Sequence, residues 1–343
     1  MKMRTFIIRR LLLLIPVLLG VSIFVFMLTR IAGNPAAAYI TERMGPQQIA
    51  EIEAKYHLND PMWVQYVYWM QGILHGDWGY SKVANLPVTD AIKEFFPATF
   101  ELTFVSILIA IVIGIALGTI SAVRRDTPTD HATRVMALAG VCLPVFILAL
   151  ILQYVFASQL GWFPIEGRYN DALYNDFPNG FASYRITGFL LVDTIVRLDW
   201  ERFADAVWHL ALPAICLAFG SIAIITRIMR GSMLEVVNQD YIKTARSKGL
   251  PEKVVIKKHA RRNALIPTVT VVGLAFGALL GGAVLTETIF AWPGMGQWAA
   301  SATVFNDWAS ILGFTLITAL VYVLVNLIVD VMYAYLDPRV RLE

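Results

Sequence analysis

"DYIKTARSKGLPEKVVIKKHARRNALIP" (residues 240–267) is a cationic insertion between two of the most apolar segments of the chain. It carries eight Lys or Arg residues and only two acids, Asp240 and Glu252. The charge alone has a simple explanation, because a polybasic loop attracts anionic lipid by about 1 kcal/mol per Lys or Arg near the surface. The order of the residues is more informative than their charge.

The capping residues of this stretch predict a helix, a glycine turn and a second helix. Asp240 is a plausible N-cap, and residues 241–248 favour a helix modestly. Gly249 stands where a helix-ending C′ residue belongs, and Pro251 opens the second helix. We expect that helix to be stopped or kinked near Pro267. A loop that is only solvated does not need this order of elements. The order favours a rigid cytoplasmic projection that docks into another protein.

The composition of the whole chain is that of a membrane protein. Of its 343 residues, 57% are hydrophobic and only 15% are charged, whereas soluble domains average about 25% charged residues. Six stretches without Asp, Glu, Lys or Arg approach the ~20 residues that a membrane-spanning helix needs. They are Leu11–Thr29, Leu102–Val123, Val135–Ser158, Val207–Thr226, Asn263–Thr286 and Trp308–Val329. A shorter run, Ile186–Val196, contains Asp193 and predicts a short interfacial helix instead.

The distribution of Lys and Arg predicts the orientation in the membrane. If both termini lie on one side, that side holds 19 of the 28 Lys and Arg residues, and residues 240–267 lie on it as well. Cytoplasmic segments carry the excess of positive charge in membrane proteins. We therefore expect both termini and the cationic insertion to be cytoplasmic.

Two outer segments accompany the spans. In residues 30–98, Pro46 and Pro61 look like first-turn prolines of two helices. The second, "PMWVQYVYWMQGIL" (61–74), is rich in aromatic residues, which fits an amphipathic helix at the membrane interface or a surface that docks a partner. The loop over residues 161–206 has seven acids and four bases, so it is mildly acidic.

Charged residues occur at the ends of the predicted spans and not at their centres. This pattern argues against a proton-coupled carrier, a voltage sensor or an ion pump. Snorkelling or interfacial anchoring is the favoured interpretation of Glu101, Arg227, Glu287 and Asp330. Glu287 stands out among them, because a Trp-Pro-Gly turn beginning at Trp292 follows it.

The cysteines and histidines predict no chemistry. Cys142 and Cys216 sit alone in apolar runs, so we interpret both as small buried hydrophobes. The five histidines form no metal-binding pair, and His209 is interpreted as interfacial or hydrogen-bonded. An intramembrane enzyme is therefore the least favoured class of protein.

The cationic insertion resembles the cytoplasmic coupling loop of ABC importer permeases. The family pattern is Glu-Ala-Ala, three residues, Gly, then a hydrophobic-Pro ending. This chain has Lys243-Thr244-Ala245, Gly249 and Leu265-Ile266-Pro267. Only the last Ala of the triplet matches, but the form "DYIKTARSKGL" is similar to that of the dipeptide/oligopeptide permease family. Similar pieces occur in order along the chain: "IIRRLLLLIPVLLGVSIFVF" (7–26), "FPATFELT" (96–103), "GVCLPVFILALIL" (140–152), "TGFLLVDTIV" (187–196), "LTETIFAWPGMGQW" (285–298) and "VNLIVDVMYAYLDPRVR" (325–341).

The resemblance, closest to the dipeptide-permease branch, implies an all-α integral membrane protein with six transmembrane helices. It would lie in a prokaryotic cell membrane with both termini cytoplasmic. The implied division is 1–29 (N-terminus and first span), 30–98 (outer region), 99–335 (five spans, with outer loop 159–206 and coupling loop 230–266) and 336–343 (tail). The residues implied in ATPase coupling are Asp240, Tyr241, Thr244, Ala245, Lys248, Gly249 and Leu250. Glu287 and Trp292 are implied as parts of a translocation path or gate.

The same resemblance implies the partners. They are a second homologous permease subunit, two cytoplasmic ATP-binding subunits, an extracytoplasmic solute-binding protein and membrane lipid, with no nucleic acid. The chain has no G-x-x-x-x-G-K-[ST] phosphate loop. ATP and Mg²⁺ would therefore be bound by the ATPase subunits, and this chain would have no catalytic residue, metal or cofactor.

Two alternatives to a peptide importer remain open on the sequence. The first is a permease of the same family for a non-peptide solute, such as a nickel complex or an oligosaccharide. The second is an ATP-independent channel or carrier, although a carrier is expected to show intramembrane charges or inverted repeats.

Overall fold

The computed structural model describes residues 3–32, 45–55 and 57–336, which are helical apart from loops and one short hairpin. The helices are α1 (Met3–Ala32), α2 (Pro46–Lys55), α3 (Met62–Leu74), α4 (Val88–Val123), α5 (Pro128–Cys142), α6 (Val145–Leu152), α7 (Phe181–Tyr184), α8 (Leu190–Val196), α9 (Trp200–Val237), α10 (Asp240–Ser247), α11 (Glu252–Val254), α12 (Arg261–Gly282), α13 (Val284–Ile289), α14 (Met295–Val304) and α15 (Trp308–Leu336). Two π-helical segments cover Gln153–Gln159 and Val255–Ala260, and a 3₁₀ turn covers Asp171–Tyr174. Strand β1 (Tyr80–Ser81) pairs antiparallel with β2 (Leu86–Pro87).

Five continuous helical segments are long and apolar enough to cross a membrane, and a bent pair makes up to six in the described chain. They are Ile7–Leu28, Val88–Val123, Trp200–Val237, Glu252–Gly281 and Trp308–Val331. These segments confirm five of the expected spans, although the helices extend beyond the apolar runs. With 38 residues, α9 is about 57 Å long at ~1.5 Å per residue. It therefore projects beyond a hydrocarbon core of ~30 Å.

The third expected span, Val135–Ser158, is not one straight helix. Helix α5 and the segment from Val145 to Gln159 meet at an angle of 106°. The break lies at Leu143, which has extended backbone angles (φ −80°, ψ 118°) immediately before Pro144. A proline disfavours the helical conformation of the residue before it. The apolar composition predicted this helical stretch, and the bend coincides with the single proline.

Helices α4 and α9 form the centre of the bundle, because small residues on α4 let the two backbones approach closely. A Cβ on Gly114 would lie 2.7 Å from the Ile225 side chain, and one on Gly118 would lie 2.7 Å from the Met229 side chain. In a membrane the lipid tails are as apolar as the protein core, so burial of apolar surface does not drive helix association. Close packing stabilises the helix pair through van der Waals contact instead. Ala110, Ile222 and Ile225 are among the residues buried in this core.

The second helix of the cationic insertion does not end at Pro267, which corrects the expectation of a stop there. Helical structure runs through α11, the π-helical segment and α12 as one 30-residue span from Glu252 to Gly281. Pro267 lies inside α12. Prolines are tolerated inside membrane helices because neighbouring groups satisfy the freed backbone. The cationic insertion is therefore continuous with a spanning helix.

The outer elements begin close to where the prolines predicted. Helix α2 starts at Pro46, and α3 starts one residue after Pro61. Trp69 of α3 packs against Phe26 of α1, so this aromatic helix lies on the first span. The short run containing Asp193 forms the seven-residue α8. Parts of the outer segment (residues 33–44 and 56) and of the tail (337–343) lie outside the described residues.

Two predictions about single side chains have opposite outcomes. Cys216 is buried as expected, but Cys142 is exposed at the end of α5, so the expectation that both are buried is wrong. His209 Nδ1–H donates a hydrogen bond to the Asp205 carbonyl oxygen, 3.0 Å away, which confirms the expected hydrogen-bonded histidine.

Candidate functional site

Helix α10 is a short projection whose end is sharply defined. Its C-cap residue is Lys248, and Gly249 follows in the left-handed conformation with φ +72°. The Gly249 N–H donates to the Arg246 carbonyl at 2.9 Å, and the Leu250 N–H donates to the Ala245 carbonyl at 3.4 Å. This pair of bonds is a Schellman motif, which favours glycine at the left-handed position. The predicted helix-ending role of Gly249 is confirmed.

The start of α10 differs by one residue from the prediction. Gln239 occupies the N-cap position, and Asp240 is the first helical residue. The Asp240 carboxylate accepts a hydrogen bond from Lys243 Nζ at 2.9 Å instead of capping the helix. An acid in the first turn still stabilises the helix through its dipole.

The inner face of α10 packs against the chain's own spans. Ile242 is fully buried and Ala245 is only 7% exposed. They belong to a cluster with Met229 and Met233 of α9 and Val255 of the π-helical segment. The family resemblance implies a role for Ala245 in ATPase coupling, and in the structure its methyl group faces this internal cluster.

The outer face of α10 is exposed along its length. Tyr241, Lys243, Thr244 and Lys248 all lie at the surface. The Tyr241 hydroxyl accepts a hydrogen bond of 2.7 Å from Asn263 Nδ2 of α12. Arg246 donates to both oxygens of Glu252, at 3.1 and 2.7 Å, across the Gly249 turn. These bonds fix α10 to the following helix while leaving one face free to contact a partner.

A buried ion pair joins α9, against which α10 packs, to α5 and α4. Arg230 of α9 donates to both oxygens of Asp130 on α5, and Ser121 of α4 donates to the same carboxylate. Asp130 is fully buried. The sequence reasoning missed this cluster, because its members lie 9 and 100 positions apart and share no local pattern.

Glu287 and Trp292, the two candidate gate residues, lie together against the start of the second span. Thr99 Oγ1 donates to Glu287 Oε1 at 2.6 Å, and the Gln297 N–H donates to Oε2 at 3.0 Å. Trp292 Nε1 donates to the Ala98 carbonyl at 3.0 Å. Both side chains are buried within this chain. The structure thus places them in the packing between α13, α14 and α4.

The surroundings of Glu287 leave its carboxyl without a cationic partner in the described residues. Glu287 lies beyond the candidate span that ends at Gly281. Burial raises the pKa of the Glu287 carboxyl to about 7, although hydrogen bonds from Thr99 and from two backbone groups oppose the rise. A Cβ on Gly294 would lie 2.5 Å from the carboxylate, so only glycine lets this turn close over it.

The interpretation of the charged span ends is wrong for two of the four residues. Glu287 is fully buried, and Glu101 is buried in an ion pair with Arg168 at 2.6 Å. The Leu191 N–H also donates to Glu101, at 2.7 Å. Arg227 is exposed, and Asp330 pairs with Arg10 at 3.1 Å, as anchoring side chains can do. Within the described residues no group of three or more His, Cys, Asp or Glu could hold a metal ion.

Comparison with known proteins finds relatives that match nearly the whole chain. The family model described as binding-protein-dependent transport system inner membrane component matches residues 114–342, and the model of the corresponding N-terminal region matches residues 3–103. The chain is 43% identical to the dipeptide transport system permease protein DppB of Alkalihalophilus pseudofirmus, over 97% of this chain and 98% of that protein. It is 42% identical to the di/tripeptide transport system permease protein DppB of Pseudomonas aeruginosa, over 99% of each chain.

A more distant relative and a solved structure extend the likeness. The oligopeptide transport system permease protein AppB of Bacillus subtilis is 37% identical, over 99% of this chain and 100% of that protein. A chain from a structure of the MetNI methionine ABC transporter in inward-facing conformations has a TM-score of 0.50 at 16% identity. The match covers 78% of this chain and 97% of that one, and it supports a shared fold. The chain therefore belongs to the family of binding-protein-dependent transport system inner membrane components, the permease subunits of ABC transporters.

Proposed function

We propose that this chain is the membrane-spanning permease subunit of an ATP-driven importer of dipeptides and short oligopeptides. A second, homologous permease subunit would complete the translocation path. An extracytoplasmic solute-binding protein would deliver the peptide. The cargo proposal rests on relatives of 37–43% identity that are named for dipeptide, di/tripeptide or oligopeptide transport.

The observation that carries the coupling part of the proposal is the arrangement of α10. Its inner face is packed on α9 and α12, and its outer face, with Tyr241, Thr244 and Lys248, is exposed. A groove on a cytoplasmic ATPase subunit would receive this outer face. Because the inner face contacts two spanning helices directly, movement of the ATPase subunit would be transmitted to the bundle without a flexible link.

We infer the orientation from the distribution of Lys and Arg, and the binding of nucleotide by partner subunits from the family to which the chain belongs. Both termini and α10 would be cytoplasmic, in the inner membrane of a prokaryotic cell. Two ATPase subunits would bind ATP and Mg²⁺, and their closure would favour the outward-open permease pair over the inward-open one. Moving a two-state ratio from 1:99 to 99:1 requires a difference in binding of about 5.5 kcal/mol. Such a coupling requires a stiff joint.

The test is uptake by the assembled transporter in liposomes. ATP and Mg²⁺ are enclosed on the side of α10, and the binding protein with a radiolabelled dipeptide is supplied outside. We expect the dipeptide to accumulate with ATP and not with a non-hydrolysable analogue. Equilibration without ATP would contradict an importer and support a channel or carrier. Uptake of a nickel chelate or an oligosaccharide in place of the dipeptide would contradict the peptide cargo alone.

A further inference from the structure

A cavity of about 470 Å³ opens between α5 and α9, apart from α10 and from the Glu287 cluster. Its lining combines three guanidinium groups, two threonines and an apolar wall. The residues that matter here are Arg134, Arg227, Arg230, Thr226, Leu138 and Val141. None of them belongs to the proposed coupling surface of α10.

The cavity keeps a net positive charge when the ion pairs of its lining residues are counted. Arg230 is neutralised by Asp130, with which it forms two hydrogen bonds. Arg134 lies 3.9 Å from the same carboxylate, which Arg230 already occupies. Arg227 is exposed and forms no ion pair with a described residue. Three cations therefore face one carboxylate, which leaves an excess of positive charge for an anion.

A second observation points to a polar ligand at the same place. Thr226 lines the cavity and is only 1% exposed, yet its Oγ1 has no hydrogen-bond partner among the described residues. A buried hydroxyl without a hydrogen-bond partner destabilises the fold. A phosphate oxygen in the cavity would supply the missing acceptor, and Arg227 is adjacent to Thr226 in the sequence.

The position of the arginines relative to the apolar runs distinguishes a lipid from a free anion. Arg134 immediately precedes the apolar run that starts at Val135, and Arg227 immediately follows the one that ends at Thr226. Both guanidinium groups therefore belong at the level of the lipid headgroups. Leu138 and Val141, 65% and 51% exposed, continue the cavity wall towards the membrane interior. A free phosphate would gain nothing from this apolar wall, whereas an acyl chain would pack against it.

We propose that this cavity binds an anionic phospholipid, with its phosphate at Arg134, Arg227 and Thr226 and an acyl chain along Leu138 and Val141. Basic pockets between spanning helices are suited to anionic headgroups. The bound lipid would join α5 to α9 beside the Asp130–Arg230 ion pair. The proposal does not depend on which solute is transported.

The test is native mass spectrometry of the assembled transporter in mild detergent, titrated with dioleoyl phosphatidylglycerol or dioleoyl phosphatidylcholine. We expect selective retention of phosphatidylglycerol. Arg227→Gln should weaken that retention by about five-fold, the equivalent of ~1 kcal/mol for one cation near the lipid surface. Arg124→Gln is the matched control, because it removes the same charge just after α4 and outside the cavity.

A second variant keeps the test independent of folding. Thr226→Val removes only the unpartnered hydroxyl, so it should weaken lipid retention without lowering the Tm. Equal retention of the two lipids, or equal loss in Arg227→Gln and Arg124→Gln, would overturn the proposal. Displacement of phosphatidylglycerol by inorganic phosphate at equal concentration would also overturn it, because the site would then be one for free phosphate.

Discussion

The Arg230 guanidinium holds both carboxylate oxygens of Asp130, with Nε 2.7 Å from Oδ1 and Nη2 2.8 Å from Oδ2. The two residues belong to α9 and α5, and Ser121 of α4 donates to the same carboxylate. Only two residues separate the end of α9 from the start of α10. A force on α10 therefore reaches α9 close to a point where three helices are joined through one buried anion.

Asp130→Asn should destabilise the chain by about 3 kcal/mol, because it leaves a largely buried guanidinium without its anion. The measurement is thermal unfolding of the purified chain in detergent. The double variant Asp130→Asn/Arg230→Met should recover part of the loss, since both charges are then removed. Asp126→Asn is the control, because its carboxylate is exposed and its one ion pair among the described residues is with Arg125 at the surface. Equal Tm values for Asp130→Asn and Asp126→Asn would show that the ion pair has no structural role.

Gly249→Val should leave membrane insertion intact and reduce ATP-driven uptake at least ten-fold. A β-branched residue at φ +72° is strained by about 1–3 kcal/mol, and a helix of eight residues is marginal by itself. Nothing lies within 4 Å of a Cβ at this position, so the strain is conformational and not steric. Gly249→Asn should therefore retain more uptake than Gly249→Val, because Asn tolerates the left-handed region.

The control for this prediction is Gly161→Val. Gly161 also has a positive φ, of +62°, and open space around a Cβ, but it lies outside the cationic insertion. Uptake should be nearly normal in this variant. If Gly161→Val and Gly249→Val lose uptake equally, strain in general and not the end of α10 is responsible.

The parts of this fold that the sequence predicted are those with local signals. Gly249 and Pro251 determine the turn after α10 through their own backbone preferences, and apolar run length determines the number of spans. The bend at Leu143 has a local cause in Pro144, but a proline at a helix break and Pro267 inside a continuous helix look alike in sequence. Their different outcomes depend on what packs around them.

The site residues that the sequence missed are joined over long separations. Glu101 and Arg168 lie 67 positions apart, and Asp130 and Arg230 lie 100 apart. A charged residue at the end of an apolar run has two outcomes, anchoring at the interface or pairing inside the bundle. The choice depends on whether the folded chain brings an opposite charge or a hydrogen-bond donor to it. No spacing rule in a single sequence contains that information.

Substitutions at Ala245 and Thr244 should distinguish the effect of internal packing of α10 from the effect of its docking to a partner. Ala245→Leu adds three carbons to a cluster that already contains Met229 and Met233, so the Tm of the isolated chain should fall by the equivalent of about 1–3 kcal/mol. Thr244→Leu places the same side chain on the exposed face, so that Tm should hardly change while ATP-driven uptake falls. If Ala245→Leu leaves the Tm unchanged and only uptake falls, the inner face of α10 is not part of the chain's own core.

The burial of the Glu287 carboxyl leads to a pH dependence of stability. Burial raises the pKa of Glu287 from 4.5 to about 7 in the folded chain. Between these two values the folded state keeps a proton that the unfolded state releases. The free energy of unfolding therefore falls as the pH rises through this window, and the contribution is lost above about pH 7.

Glu287→Gln should remove this pH dependence. Glutamine is uncharged at every pH in the window, and its amide oxygen can still accept the hydrogen bond from Thr99 Oγ1. Between pH 4.5 and 8, the wild-type chain should lose about 3 kcal/mol more stability than Glu287→Gln, since one pKa unit corresponds to ~1.36 kcal/mol. The measurement is the Tm of the detergent-solubilised chain across this range. The exposed Glu51→Gln on α2 is the control for removal of one carboxylate, and its pH profile should follow the wild type. Parallel profiles for wild type and Glu287→Gln would mean that the Glu287 carboxyl stays ionised inside the fold throughout the range.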